Sequence, residues 1–195
     1  MILATRRNLW IAVAVVALGQ AAVLGWMIWE RTSLLSNGRE VVLEVIPVDP
    51  RSLFRGDYVI LGYDISRFTL PAGAAPPKPK ALYYLTLKKK PDGENWQVVG
   101  GANEPPANPQ ADEVVIKGRV DYVSQPPNDK PQDPTIVGLH YGIESFFVPE
   151  GTGRELEKMV GDKKISALIA IDDGGNAAIK GLLSEGQRIY EEPLL

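Results

Sequence analysis

The 195-residue sequence contains no cysteine. That excludes a disulfide framework, a thiolate nucleophile and any zinc–thiolate site, and it leaves the redox compartment open. A single histidine, His140, is too few for the usual imidazole-based metal centres. Positive charge is also scarce where it would matter. Of 21 Lys and Arg, only Arg6 and Arg7 precede Glu30, which leaves 19 basic against 24 acidic side chains in the remainder. That remainder is net acidic, and neither nucleic acid nor an anionic lipid surface is an expected partner.

What the chain does have is one long apolar run. Leu9 to Trp29 reads LWIAVAVVALGQAAVLGWMIW, without a charge and with Gln20 as its one clearly polar side chain. As a helix it would be roughly 30 Å long, the thickness of a bilayer's hydrocarbon core. Arg6 and Arg7 stand before it, and Trp10, Trp26 and Trp29 near its two ends suit interfacial belts. The expectation is a single pass with the N-terminus in the cytoplasm and an extracytoplasmic (periplasmic) remainder. Residues 1–30 then form a cytoplasmic stub and transmembrane anchor, and residues 31–195 an extracytoplasmic β domain. A cleaved signal peptide, with its h-region at Leu9 to Ala17, is the alternative; the apolar run continues well beyond a normal h-region.

From Arg39 onward the hydrophobic period is two. Val41, Leu43 and Val45 alternate with Val42, Glu44 and Ile46 up to Pro47. Val48 to Arg55 reads as a loop. Tyr58 to Ile65 reads as one strand, with Val59, Leu61, Tyr63 and Ile65 on one face. Further strands are expected at Ala81 to Lys88, Trp96 to Val99, Val114 to Val123 and Ile136 to Val148. Asp92-Gly93 marks a hairpin, and Asp172-Asp173-Gly174-Gly175-Asn176 turns a closing hairpin between Ala167–Ile171 and Ala177–Leu183. Pro-rich stretches at Pro71 to Lys80, Glu104 to Pro109 and Gln125 to Pro134 separate these runs. One short helix is expected after the capping box Thr152-Gly153-Arg154-Glu155, burying Leu156, Met159 and Val160. The fold class is thus mainly β: an N-terminal transmembrane helix, then a single mostly antiparallel domain of about eight strands with one short helix.

The string GDYVILGY at Gly56 to Tyr63 resembles, position for position, the motif of the GDYXXLXY family of membrane-anchored bacterial proteins, with Gly56, Asp57, Tyr58, Leu61 and Tyr63 at the named positions. The stretches 47–54, 139–156 and 177–182 are similar to that family too. The resemblance implies one anchor, an extracytoplasmic domain of uncharacterised role and a multi-spanning membrane protein as partner. It carries no catalytic residues with it.

Arg55, Gly56, Asp57, Tyr58, Leu61 and Tyr63 are therefore candidates for a binding or a structural motif. Gly56-Asp57 can turn the chain into a strand, Tyr63 belongs in the core with its hydroxyl at the rim, and Tyr58 can line a groove. Asp49, Arg51, Arg55, Asp57 and Asp64 form either a salt-bridged turn or an acid/base or cation-holding group. His140 and Glu144, on one face of a strand with Gly142 clearing the surface between them, are the catalytic candidates. The Asp172–Asn176 stretch superficially resembles a calcium loop, but the terminal acidic ligand is missing and turn chemistry accounts for it. The amides at Thr152, Gly153 and Arg154 suit an anion or plain capping. A Ser–Lys protease is disfavoured, because Val48 occupies the nucleophile's position and the first lysine is Lys78, in a Pro-rich loop. No cofactor-binding loop or metal motif is recognisable.

Three functions follow as expectations. The leading one is an accessory or binding subunit of a membrane protein complex. The second is a hydrolase or lyase using carboxylates or His140 with Glu144. The third is a cell-wall glycan-binding module presenting Tyr58, Tyr83, Tyr84 and Trp96 as flat sugar platforms, and a small ligand is an alternative to the glycan.

Overall fold

The computed structural model describes residues 2–47, 58–71, 73–126, 134–147, 156, 158–160, 162 and 165–191. It opens with α1 (Ile2–Asn37), a 36-residue helix free of proline and rich in Ala and Leu. The helix runs past the apolar segment and ends at Gly38, whose N–H donates to the Leu34 carbonyl at 2.9 Å. Large side chains along the apolar segment, Leu9, Trp10, Leu18, Trp26 and Trp29 among them, are exposed. Asn8–Asn37 is long and apolar enough to cross a membrane, and an 18-residue window within it has a mean hydropathy of 2.2.

Twelve strands follow among the described residues: β1 (Arg39–Ile46), β2 (Tyr58–Ile60), β3 (Gly62–Tyr63), β4 (Arg67–Thr69), β5 (Leu82–Lys89), β6 (Trp96–Ala102), β7 (Glu113–Ser124), β8 (Ile136–His140), β9 (Ser145–Phe147), β10 (Ile165–Ile171), β11 (Ala177–Ser184) and β12 (Gln187–Glu191). They form two five-stranded antiparallel sheets, ordered β12-β11-β10-β1-β3 and β4-β8-β7-β5-β6, and a small β2–β9 ribbon. The mainly β, antiparallel class expected from the sequence is what the chain adopts.

Period-two alternation explains the core. Val41, Leu43 and Val45 of β1, Leu85 and Leu87 of β5, Ile116 of β7, and Ile165, Ala167 and Ile169 of β10 all point into one cluster shared by the two sheets. Burying each Val, Leu or Ile contributes about 1.5–3 kcal/mol. Leu156 and Val160, from the helical stretch after the capping box, join the same cluster; Thr152, Gly153, Arg154 and Glu155 lie outside the described residues. The opposite parity of β10, Leu168 and Ala170, is also buried yet stands apart from that cluster. The end of α1 lies against β10 and β11, with Leu35 only 3% exposed.

Two readings of strand extent change. Tyr58 to Ile65 is not one strand: β2 pairs with β9, β3 pairs with β1, and a 3-10 turn at Asp64–Ser66 follows. The break falls at Leu61, whose N–H donates to the Glu144 carbonyl at 2.9 Å. The alternation survives the break, since Val59, Leu61, Tyr63 and Ile65 are all buried. Ile136 to Val148 likewise divides into β8, a turn over residues 141–144, and β9. Arg67–Thr69 and Gln187–Glu191 are strands that the pattern did not announce, being short or charged.

Candidate functional site

Arg55, Gly56 and Asp57, with Asp49 and Arg51, lie outside the described residues, as does the side chain of Tyr58. The two motif residues whose side chains are described, Leu61 and Tyr63, are both in the core. Tyr63 points inward because β1 and β3 pair Val45 with Tyr63, which puts its ring on the inner face. A phenol there needs a partner, and it has one: the Tyr63 hydroxyl donates to the Ile143 carbonyl at 2.7 Å. The bond is buried, so the hydroxyl is not at the rim as the sequence suggested. A reciprocal bond runs the other way, from the Tyr141 hydroxyl to the Ile65 carbonyl at 2.6 Å. With the Leu61–Glu144 backbone bond, residues 61–65 and 141–144 are laced together at three points.

Burial raises the ionisation of Tyr63 and of Tyr141 well above the ordinary phenol value of 10.0, and the Glu144 charge adds to the effect in both. In Tyr141 the Asp64 carboxyl contributes as well. The unfolded chain therefore loses these protons near pH 10 while the folded chain keeps them. Stability from the pair is complete below about pH 10 and falls as the pH rises beyond it. Phenolate absorbance of the full chain in detergent should show Tyr63 and Tyr141 ionising only together with loss of the β-sheet circular dichroism. Ionisation of all tyrosines in an intact fold would refute this.

His140 and Glu144 do meet, though not as strand neighbours. His140 ends β8, Gly142 adopts φ +82°, and the turn swings Glu144 back beneath the segment. Its Oε1 accepts from the Tyr141 N–H at 2.6 Å and its Oε2 from the Gly142 N–H at 2.9 Å. His140 Nδ1 lies 3.2 Å from the same Oε2. The Glu144 side chain is 20% exposed and that of His140 53%. Chemically the carboxylate closes a tight turn that fixes Ile143, the acceptor for Tyr63, and the imidazole rests on its outer oxygen. A ring oriented by a carboxylate is competent for proton transfer to something approaching from solvent. His140→Ala is expected to change stability by no more than about 0.5 kcal/mol, as for an exposed surface substitution. Glu144→Ala should cost about 1–3 kcal/mol by leaving two turn amides without their acceptor. Denaturant titrations of the two variants would check the ordering.

Among the remaining candidates, the Asp172–Asn176 stretch has a structural role. Asp172 closes its own hairpin: Oδ1 accepts from the Asn176 N–H at 2.8 Å and Oδ2 from the Asn176 amide at 2.7 Å. Gly175 accepts through its carbonyl from the Lys117 N–H at 2.8 Å; its φ of +78° disfavours a side chain, which would also sit tightly against Lys117 and the β7 backbone. Partial burial raises the Asp64 carboxyl from its ordinary value, with Lys90 and the backbone amides of Ile65 and Asp64 opposing and Glu44 reinforcing. Tyr83 and Trp96 correct the glycan-platform expectation. Alternation turns both rings inward, to 3% and 9% exposure, and leaves Tyr84 as the partly open ring.

Two residues carry more than the sequence reading assigned them. Tyr141 was visible only as a neighbour of His140, and its inward parity beside Leu139 was the available signal. Arg39, the first residue of β1, donates to the Glu113 carbonyl at 2.8 Å and to the Ala111 carbonyl, tying the start of β1 to the approach to β7. Next to it, Trp29, Glu30, Leu34, Asp172 and Asp173 line a cleft of about 390 Å³ where helix and domain meet.

Comparison with curated proteins and with solved structures finds no match. A family profile described as GDYXXLXY protein matches residues 20–182, from the second half of the apolar helix through β11, and by that match the chain belongs to the GDYXXLXY protein family.

Proposed function

We propose that the protein is a single-pass, membrane-anchored accessory or binding subunit, with its β domain in the periplasm and a multi-spanning membrane protein as partner. The observation that carries this reading is the uncharged segment of α1 from Leu9 to Trp29, whose large side chains are exposed and whose helix runs on into the domain. Arg6 and Arg7 ahead of the span favour a cytoplasmic N-terminus. The described motif residues Leu61 and Tyr63 support the domain rather than face a substrate, which suits a subunit better than an enzyme built on that motif. Two measurements test the reading. A reporter fused after Leu195 should be active only in its periplasm-dependent form. Affinity purification from solubilised membranes should retain one multi-spanning protein in stoichiometric amount. Cytoplasmic reporter activity, or a chain that purifies alone from mild detergent, would count against it.

A hydrolase or lyase is the second reading, favoured by the 3.2 Å pairing of His140 with Glu144. It requires that His140→Ala give a folded protein unable to rescue a deletion strain. Full rescue by both His140→Ala and Glu144→Gln would remove it.

A further inference from the structure

The passage from α1 to β1 contains no linker. The helix ends at Asn37, β1 begins at Arg39, and the residue between them has no room for a side chain: a Cβ on Gly38 would run into the Leu34 carbonyl of the last helical turn, and it would sit 3.1 Å, a tight contact, from the Ala170 Cβ and the Ile171 nitrogen of β10. Leu35 is buried in the last helical turn, and α1 touches both β10 and β11. Arg39 then bonds to the Ala111 and Glu113 carbonyls, across the gap between the two sheets. Ordinary tethers are Gly/Ser-rich and solvated, and let a domain wander by several ångströms per square-root residue. Here the passage is one residue long, with Leu35 buried beside it and Arg39 bonded beyond it.

We infer that anchor and domain are one rigid body, which holds the Asp172–Asn176 turn against the lipid headgroup layer. The inference rests on the anchor reading above. Leu9 to Trp29 matches the hydrocarbon thickness, so Trp29 stands at its boundary. Trp29 shares the lining of one cleft with Asp172 and Asp173, so the β10–β11 turn lies beside the point where the helix leaves the hydrocarbon. Glu30, Asp172 and Asp173 outnumber Arg39 in that lining, which suits a zwitterionic surface better than an anionic one. The other end of β1, where Ile46 pairs with Gly62, is about 20 Å away along the strand. The Tyr63–Tyr141 lacing and the His140–Glu144 pair belong to that far end.

The lack of cysteine makes the test clean, because each engineered cysteine labels one position. Spin labels on the full chain in phosphatidylcholine nanodiscs are read in two ways. For Arg31→Cys with Asp121→Cys, a single narrow distance distribution is expected. For Asp173→Cys, collision with lipid-partitioned oxygen should exceed that of Ser145→Cys, and collision with a water-soluble nickel chelate should be lower. Inserting a short Gly-Ser segment after Asn37 should broaden the distance distribution and make position 173 as water-accessible as position 145. Broad distances in the uninserted chain, equal accessibility at the two positions, or distances unmoved by the insertion would each overturn the inference while leaving the anchor intact. Release of the unaltered chain from membranes by alkaline carbonate would overturn both.

Discussion

Tyr63→Phe is expected to destabilise the full chain by about 1–3 kcal/mol, although it removes one oxygen atom. The reason is asymmetry: the hydroxyl leaves behind a buried Ile143 carbonyl that has lost its donor. Tyr63→Ala should cost about 3–5 kcal/mol, because a cavity the size of the ring is added in a core that cannot collapse onto it. Tyr141→Phe should behave like Tyr63→Phe, by releasing the Ile65 carbonyl. The two hydroxyls join the same pair of segments, so the double Phe variant should lose less than the sum, with a coupling of about 0.5–3 kcal/mol. Denaturant unfolding of the parent and the four variants in one detergent, followed by far-ultraviolet circular dichroism, measures all of this. A Tyr63→Phe variant as stable as the parent would mean that the motif tyrosine is held for something other than the fold.

Charges placed in the middle of α1 should have the other large effect. Val15→Lys and Leu18→Lys each put an ammonium near the centre of the apolar run, where insertion is disfavoured by about 2.5–3.5 kcal/mol per charge. Together they exceed what the apolar run can readily offset, and the chain should move from the carbonate-resistant membrane fraction to the soluble one. A surface substitution outside the span, such as Asp121→Lys, should leave the partition unchanged. If the doubly charged chain stays integral to the membrane, α1 is not the anchor.

The parts of the fold legible in the sequence are those decided by neighbours along the chain. A charge-free run of bilayer length is local, and it appears as a helix whose apolar surface stays exposed. Alternation is local too. It placed Val59, Leu61, Tyr63 and Ile65 on one buried face even though the strand carrying them breaks at Leu61. Hairpin chemistry at Asp92-Gly93 and at Asp172–Asn176 located the β5–β6 and β10–β11 pairs. The same logic could have turned Tyr83 and Trp96 inward, since each shares parity with apolar neighbours; reading them as surface rings gave the chemistry of an aromatic face more weight than its position in the alternation.

Tertiary structure decided what distant segments do to one another. Nothing local to β1 says that it pairs with β10 for most of its length and with β3 at its end, or that α1 caps the outer side of β10 and β11. The Tyr63 hydroxyl finds its acceptor 80 residues away, and Glu144 meets His140 because Gly142 reverses the chain rather than because a strand aligns them. Periodicity records which face a side chain uses, because that follows from backbone geometry repeated every two residues. It holds no record of which carbonyl waits on that face. That depends on where strands far apart in sequence settle once their apolar faces have been buried together, and the motif's tyrosine took its meaning only from that placement.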